Sequence, residues 1–313
     1  MTLGQLLLIV EIRTKLISVS TFVLATLYAA VTGARIVPGV AALLAVAILC
    51  VDMGTTAFNS FFDYMRGVDN RHFTREPDKV LVHEGVAPGH ALIVSVVLYL
   101  VAATAGLAAA WLTTWWLVVA GFAGMLVGFL YNGGPRPISH SPFGELFAGG
   151  FLGGALFLVA VLAYRGSLDR AAILAAIPST LVVAGVLSVN NACDVEGDRS
   201  AGRRTLAIVL GPRAGRGLVY AEGIAAFSML LAACGWQLLT PGRATPPWLP
   251  SLPAIGTPIV AVGLFVAVLL YVSMARRGFS HATKPQNMRT VLLVIVDLTV
   301  CYAALLVLAL LGR

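Results

Sequence analysis

Charge is what this chain has least of. Asp, Glu, Lys and Arg make up 11% of its 313 residues, where a soluble domain carries about 25%. With 59% hydrophobic residues, the composition excludes an ordinary soluble domain and describes an integral membrane protein. Cysteine is also scarce: Cys50, Cys193, Cys234 and Cys301 each sit alone in an apolar stretch. Without CxxC or metal-ligand spacing they make no metal site, and free buried thiols are expected. Acidic residues number 14 against 21 Lys and Arg, a net charge of +7. In a membrane protein such an excess reflects cytoplasmic loops beside anionic lipid rather than nucleic-acid binding. A cleavable signal peptide is not expected. Met1–Lys15 has a short apolar run, but it carries Glu11 and no small-residue cleavage site follows.

What the chain does have is long apolar runs. About 20 apolar residues cross a bilayer as a helix. Nine spans can be read, at roughly 16–34, 37–62, 90–111, 114–131, 144–164, 171–192, 214–237, 253–274 and 290–311. Glycine and proline punctuate the links, as at Pro88-Gly89, Gly133-Gly134-Pro135 and Pro246-Pro247. The expected fold is all-α, a nine-helix transmembrane bundle. With the N-terminus cytoplasmic, 16 of the 21 Lys and Arg fall on the inner side, and the positive-inside rule selects that orientation. Arg35, Arg165, Arg170, Arg243 and Arg313 fall outside. The chain reads as a single domain with pseudo-repeat halves of about 1–140 and 141–289, plus a ninth helix at 290–311.

The few acids are not scattered. Asn59-Ser60-Phe61-Phe62-Asp63 ends the second span, and Asp69 follows it. Asn190-Asn191-Ala192-Cys193-Asp194 ends the sixth, and Asp198 follows. Each cluster is Asn-x-x-x-Asp before a basic, glycine-containing loop, and each closes the second helix of its half. Repeats that carry matching polar motifs usually meet around a shared site. Residues i and i+4 share a helix face, so Asn59 points with Asp63, and Asn190 with Asp194 and Asp198. Asp69, beyond Gly67, falls on a turn. Oxygen donors suit hard cations, and Mg²⁺ binds a few carboxylates plus substrate phosphates. Left unneutralised, carboxylates packed together repel each other. Arg66, Arg71, Arg75 and Lys79 follow the first cluster; Arg199, Arg203 and Arg204 follow the second. Arginine's planar fork fits phosphate oxygens. The plainer alternative is solvated acids at helix ends, with arginines that only set topology. Asp52 and Asp297 lie within spans, as functional groups or as buried hydrogen-bond partners. Glu145 opens span 5, where a negative side chain also favours a helix N-terminus.

These residues resemble the UbiA superfamily of intramembrane aromatic prenyltransferases. Asn59–Asp69 (NSFFDYMRGVD) is similar to its first aspartate-rich motif, and Asn190–Gly211 (NNACDVEGDRSAGRRTLAIVLG) to its second. Arg13-Thr14-Lys15 resembles the basic start of helix 1, with Thr14 where proline is usual. Gly67 stands at the second aspartate position of the first motif, and Asp69 comes two residues later. Tyr131–Ile138 (YNGGPRPI), then Gly144-Glu145, is similar to the branch that prenylates 1,4-dihydroxy-2-naphthoate in menaquinone synthesis.

The resemblance covers nearly the whole chain and implies a multi-pass protein of the cell membrane with its site facing the cytoplasm. It implies a polyprenyl diphosphate bridging two Mg²⁺ ions held by Asn59, Asp63, Asp194 and Asp198, with Asp69 as a further ligand. Arg13, Lys15, Arg66, Lys79, Tyr131, Asn190, Arg199, Arg203 and Arg204 would then bind substrate. An electron-rich ring would attack the allylic C1, with loss of CO₂ from dihydroxynaphthoate. Membrane lipid would border the polyprenyl tail, and loops 64–88 and 194–213 would cap the site. Other acceptors stay open: 4-hydroxybenzoate, homogentisate or a glycerol phosphate lipid. A secondary transporter is the alternative from another class. It calls for acids at mid-membrane depth and broken helices along a path.

Overall fold

A computed structural model describes residues 1–71, 74, 79–239 and 255–312. Arg75, Arg243, Pro246-Pro247 and Arg313 lie outside the described residues, as do 72–73 and 76–78 of the first capping loop. Helices form the described residues, with no strand among them. The long ones are α1 (Leu16–Val31), α2 (Pro38–Met65), α3 (Pro88–Leu112), α4 (Trp116–Asn132), α5 (Gly144–Arg165), α6 (Arg170–Cys193), α7 (Pro212–Leu239), α8 (Gly256–Arg277) and α9 (Lys284–Leu311). Counting the 3-10 turn Ile12–Lys15 that leads into α1, eight are long and apolar enough to cross a membrane, and α4, equally apolar, has 17 residues. Each expected span thus carries one helix. The last begins at Lys284 rather than near 290, because its first turn is polar and extends the helix past the apolar run.

Proline is the first residue of α2, α3 and α7 and the second of α9, where its missing N–H takes nothing from the helix. The principal core gathers Leu24 and Tyr28 of α1, Phe157 of α5, Val182 of α6, Phe227 of α7, Val260 of α8, and Leu298 and Tyr302 of α9. A smaller core packs Ile9 and Val10 of the N-terminal helix against Ala57, Val80, Leu81 and Ala91. Helices α2, α3 and α4 pack on one another, as do α6, α7, α8 and α9, and α1 and α5 join the two groups. A seam runs between the groups. All four cysteines are free and buried.

Glycines allow α5 and α6 to touch. A Cβ on Gly153 would come within 2.6 Å of the Ser179 carbonyl oxygen, and one on Gly149 equally near that of Thr180. Small residues let membrane helices approach this closely. Here α5 winds as a π-helix over Gly149–Ala155, a form that recurs at functional sites. It offers Phe147, Ala148, Phe151 and Leu152 to the seam. Outside, Ile93, Leu100, Val119, Val262 and Phe265 are exposed, as a lipid-facing surface requires. Trp111, Trp115 and Trp116 cluster, exposed, where α3 turns into α4, the pattern of an interfacial aromatic belt.

Candidate active site

A cavity of about 1780 Å³ fills the seam. From α2 it is lined by Leu44, Ala47, Ile48, Val51, Asp52, Thr55, Thr56, Asn59 and Asp63, a three-and-four spacing that is one helix face. That face is apolar up to Val51 and polar from Asp52 onward. Leu44 and Asp63 stand about 28 Å apart at 1.5 Å per residue, nearly the hydrocarbon thickness of a bilayer. Val183, Leu187 and Asn190 of α6, with Asp194 just past its end, grade the same way. The result is a long apolar bore with one polar end.

Local backbone places the first acids. Gly67 takes a left-handed φ of 69° and stops α2. The chain then folds back, so that the N–H groups of Val68 and Asp69 both donate to the Asp63 carbonyl, at 2.9 and 3.1 Å. Asp69 therefore sits beside Asp63, on the expected turn. Lys79 closes this corner, 3.5 Å from Asp69 and 3.1 Å from Glu11. Burial works against the Lys79 charge, but Asp69 and Glu11 outweigh it and hold its pKa well above the usual lysine range.

The second cluster is built differently. The i, i+4 spacing predicts one continuous helix through Asn190, Asp194 and Asp198. Instead α6 ends at Cys193, and Asp194 caps a new short helix, Val195–Ser200. The Asp198 N–H still donates to the Asp194 carbonyl at 2.9 Å, so all three residues keep to the cavity wall. Gly202 then turns with φ of 73°, and Arg203 swings back. Its guanidinium donates to Asp198 Oδ1 at 3.3 Å and, across the seam, to Asp63 Oδ1 at 2.8 Å. One arginine thus joins the two clusters. Burial lowers its pKa, but Asp63 and Asp198 raise it further, and it stays charged. Asp198 is pushed up to about 6, chiefly by burial.

The profile of the UbiA prenyltransferase family matches residues 18–289. The chain belongs to this family. Among its UbiA-family relatives, the 1,4-dihydroxy-2-naphthoate octaprenyltransferase of Bacillus subtilis (strain 168) is 31% identical over 218 residues, 70% of this chain and 68% of the relative. A UbiA homolog from Aeropyrum pernix K1 has the same fold, with a TM-score of 0.67 at 19% identity over 91% of this chain and 96% of that one. So does a UbiA homolog from Archaeoglobus fulgidus bound to DMAPP and Mg²⁺, with a TM-score of 0.64 at 14% identity over 97% of each chain.

In this UbiA-family protein, Asn59, Asp63, Asp69, Asn190, Asp194 and Asp198 all meet at the polar end of the cavity. So do Arg13, Lys15, Lys79, Tyr131, Arg199 and Arg203. Three expected phosphate binders do not line it. Arg66 donates to the carbonyls of Asn132 and Gly134 and stacks on Phe62. Arg71 points to the Val82 carbonyl. Arg204 is exposed, and its N–H donates to the His140 carbonyl. Two residues of the α8–α9 turn were not foreseen: His281 and Lys284 reach Asp194 at 3.0 and 2.5 Å. The one signal for them was the charge count, which put Lys284 on the same membrane side as both clusters.

Among the described residues, no three His, Cys, Asp or Glu converge as a ready metal cage, and Arg203 and Lys284 pair with the carboxylates. The donor set nonetheless suits a hard cation. It is all oxygen, and Asp198 Oδ2 is buried with no hydrogen-bond partner. Asn59, Asp63, Asp69, Asp194 and Asp198 could hold Mg²⁺.

Asp52 has its own partners. Lys15 Nζ donates to it at 2.6 Å and Ser18 Oγ at 2.7 Å, and both charged side chains are buried. Asp52→Ala would strand the Lys15 charge and is expected to destabilise by about 3–5 kcal/mol. The pair Lys15→Met with Asp52→Leu should cost less than Asp52→Ala alone, read as melting temperature in detergent.

Proposed function

We propose that this protein transfers a polyprenyl group from polyprenyl diphosphate to 1,4-dihydroxy-2-naphthoate, with release of diphosphate and CO₂. The observation that carries the reading is a single cavity: both acidic helix ends and Arg203 meet at its polar end, and an apolar bore continues from them. That shape suits a ligand with a diphosphate head and a long hydrocarbon tail. The naphthoate specificity of the Bacillus subtilis relative supports the acceptor, and the fold-mate solved with DMAPP and Mg²⁺ supports the donor and the ion.

Mg²⁺ held by Asn59, Asp63, Asp194 and Asp198, with Asp69 at the rim, would supply positive charge to the leaving diphosphate. Arg203, Lys79 and Arg199 add fixed charge at the same end, where negative charge grows as the C1–O bond breaks. The electron pair of that bond leaves with the diphosphate. The naphthoate ring carbon bonds to C1, and the pair of its carboxylate C–C bond returns to the ring as CO₂ departs. The apolar wall from Leu44 to Val51 keeps the tail dry and water away from C1. Asp52, the acid nearest mid-membrane on α2, is tied to Lys15 and Ser18, which takes one of the two mid-span acids, Asp52 and Asp297, away from a transport path. The site opens to the cytoplasm from the cell membrane.

The test uses purified protein, labelled geranylgeranyl diphosphate, Mg²⁺ and a panel of aromatic acceptors. Prenyl transfer should need Mg²⁺ and stop in EDTA. It should fall by at least about 10²-fold in Asp63→Ala and in Asp194→Ala, as when one transition-state stabiliser is removed. Diphosphate release that ignores both Mg²⁺ and these substitutions would sink the reading.

A further inference from the structure

The polar end of the cavity holds a second set of side chains, which a diphosphate does not use. They lie on the last turn of α4, the first turn of α5 and the segment between them. Tyr131 Oη, Asn132 Oδ1, Ser139 Oγ and Glu145 Oε2 are each buried without a hydrogen-bond partner. Native proteins leave few such groups, because each gives up its hydrogen bonds to water and gains none in return. Asn132 is 1% exposed and Glu145 3%, yet Tyr131, Asn132 and Ser139 line the cavity. The missing partners of Tyr131, Asn132 and Ser139 belong in that cavity.

The segment is held between the two acidic clusters. Arg66, just past Asp63, donates to the carbonyls of Asn132 and Gly134. Arg204, just past Asp198, donates its N–H to the His140 carbonyl at 2.9 Å. Anything docked here lies beside the diphosphate head, where C1 must be.

The chemistry of the set is specific. Asn191 lines the cavity and donates Nδ2 to Glu145 Oε1 at 2.8 Å. A carboxylate only accepts, so the Asn191 nitrogen faces Glu145 and its amide oxygen is left to present an acceptor. Asn132 Oδ1 is a second acceptor, and the Tyr131 and Ser139 hydroxyls complete the wall. A wall rich in acceptors matches a ligand that brings O–H donors.

We propose that Tyr131, Asn132, Ser139 and Asn191 form the acceptor subsite and receive the hydroxyl groups of a dihydroxylated aromatic ring. Glu145 is a positioning residue that fixes the Asn191 amide. This inference rests on the prenyl-transfer reading and names the part of the acceptor that is recognised.

The experiment compares naphthalene-1,4-diol, kept reduced, with 1,4-dimethoxynaphthalene, which has the same ring and no O–H. Both are run as competitors of transfer and as ligands by calorimetry. A thiodiphosphate analogue of the donor is titrated in parallel. Wild type should prefer the diol by at least about tenfold, the value of one or more buried hydrogen bonds. In Tyr131→Phe and in Glu145→Gln that preference should shrink and acceptor KM should rise, with donor-analogue affinity unchanged. An unchanged preference in both variants overturns the subsite, as does equal weakening of donor and acceptor. If wild type hydrolyses the donor but prenylates no hydroxylated ring, the transfer reading fails first, and that result is distinct from either.

Discussion

Arg203→Ala is expected to lower prenyl transfer by about 10²–10³-fold, the cost of removing one preorganised stabiliser of developing charge. It should also destabilise the protein far more in EDTA than in Mg²⁺. The second effect follows from what Arg203 does in the structure. Its two nitrogens hold Asp63 and Asp198, whose side chains are only 7% and 6% exposed. Without the guanidinium, two buried carboxylates on different helices face each other unpaired. Breaking a buried pair by removing one partner costs about 3–5 kcal/mol. A divalent ion between the same oxygens replaces the lost charge, so Mg²⁺ should restore much of the melting temperature and little of the rate. Arg203→Lys should recover less than its charge suggests, because an ammonium cannot span two carboxylates as a planar fork does. Melting curves in the two buffers, beside turnover at saturating donor, check this. An identical stability loss with and without Mg²⁺ would mean that the ion does not sit at these oxygens.

Much of the architecture was legible because it is periodic. The apolar runs gave each span a helix, and the i, i+4 spacing of Asn59 and Asp63 put both on the α2 face that lines the cavity. The doubled Asn-x-x-x-Asp pattern pointed to groups that the fold does bring together. What could not be read depends on contacts between distant parts of the chain or on a turn. Lys15 belongs to the Arg13-Thr14-Lys15 stretch that resembles the basic start of helix 1 and was grouped with the substrate binders, but its partner is Asp52 on the next long helix. Lys284 and His281 meet Asp194 from the far end of the chain, and no local spacing encodes that. Arg66 follows Asp63 by three residues and was grouped with the phosphate binders. The helix end at Gly67 aims it at the 132–134 carbonyls instead. The break of α6 at Asp194 was hidden because the short helix after it restores nearly the same i, i+4 geometry.

The bore makes a prediction about the donor. Gly124 of α4 lines the cavity, and a Cβ built on it meets no atom within 4 Å. A large side chain can therefore enter the void without displacing the helix. Gly124 lies about 10 Å along α4 from Tyr131, at 1.5 Å per residue, so a ring there would close the bore a short way below the polar end. Gly124→Phe should thus keep its activity with geranyl diphosphate and lose it with donors of four or more isoprene units. Each methylene denied its apolar surroundings is worth about 0.8 kcal/mol. Excluding a single five-carbon unit should then reduce kcat/KM by roughly 10²–10³-fold. Gly128, one turn closer to Tyr131, cannot serve as the control, since a Cβ there would lie 2.5 Å from Thr55 Oγ1 and Tyr99 Oη and would push α2 and α3 away. Gly121, also lining the cavity with open space at its Cβ, can. Gly121→Phe should move the cutoff to a longer donor, because it sits one turn deeper. Competition between geranyl and solanesyl diphosphates in both variants measures the shift. If the two variants lose short and long donors alike, the tail does not follow this bore.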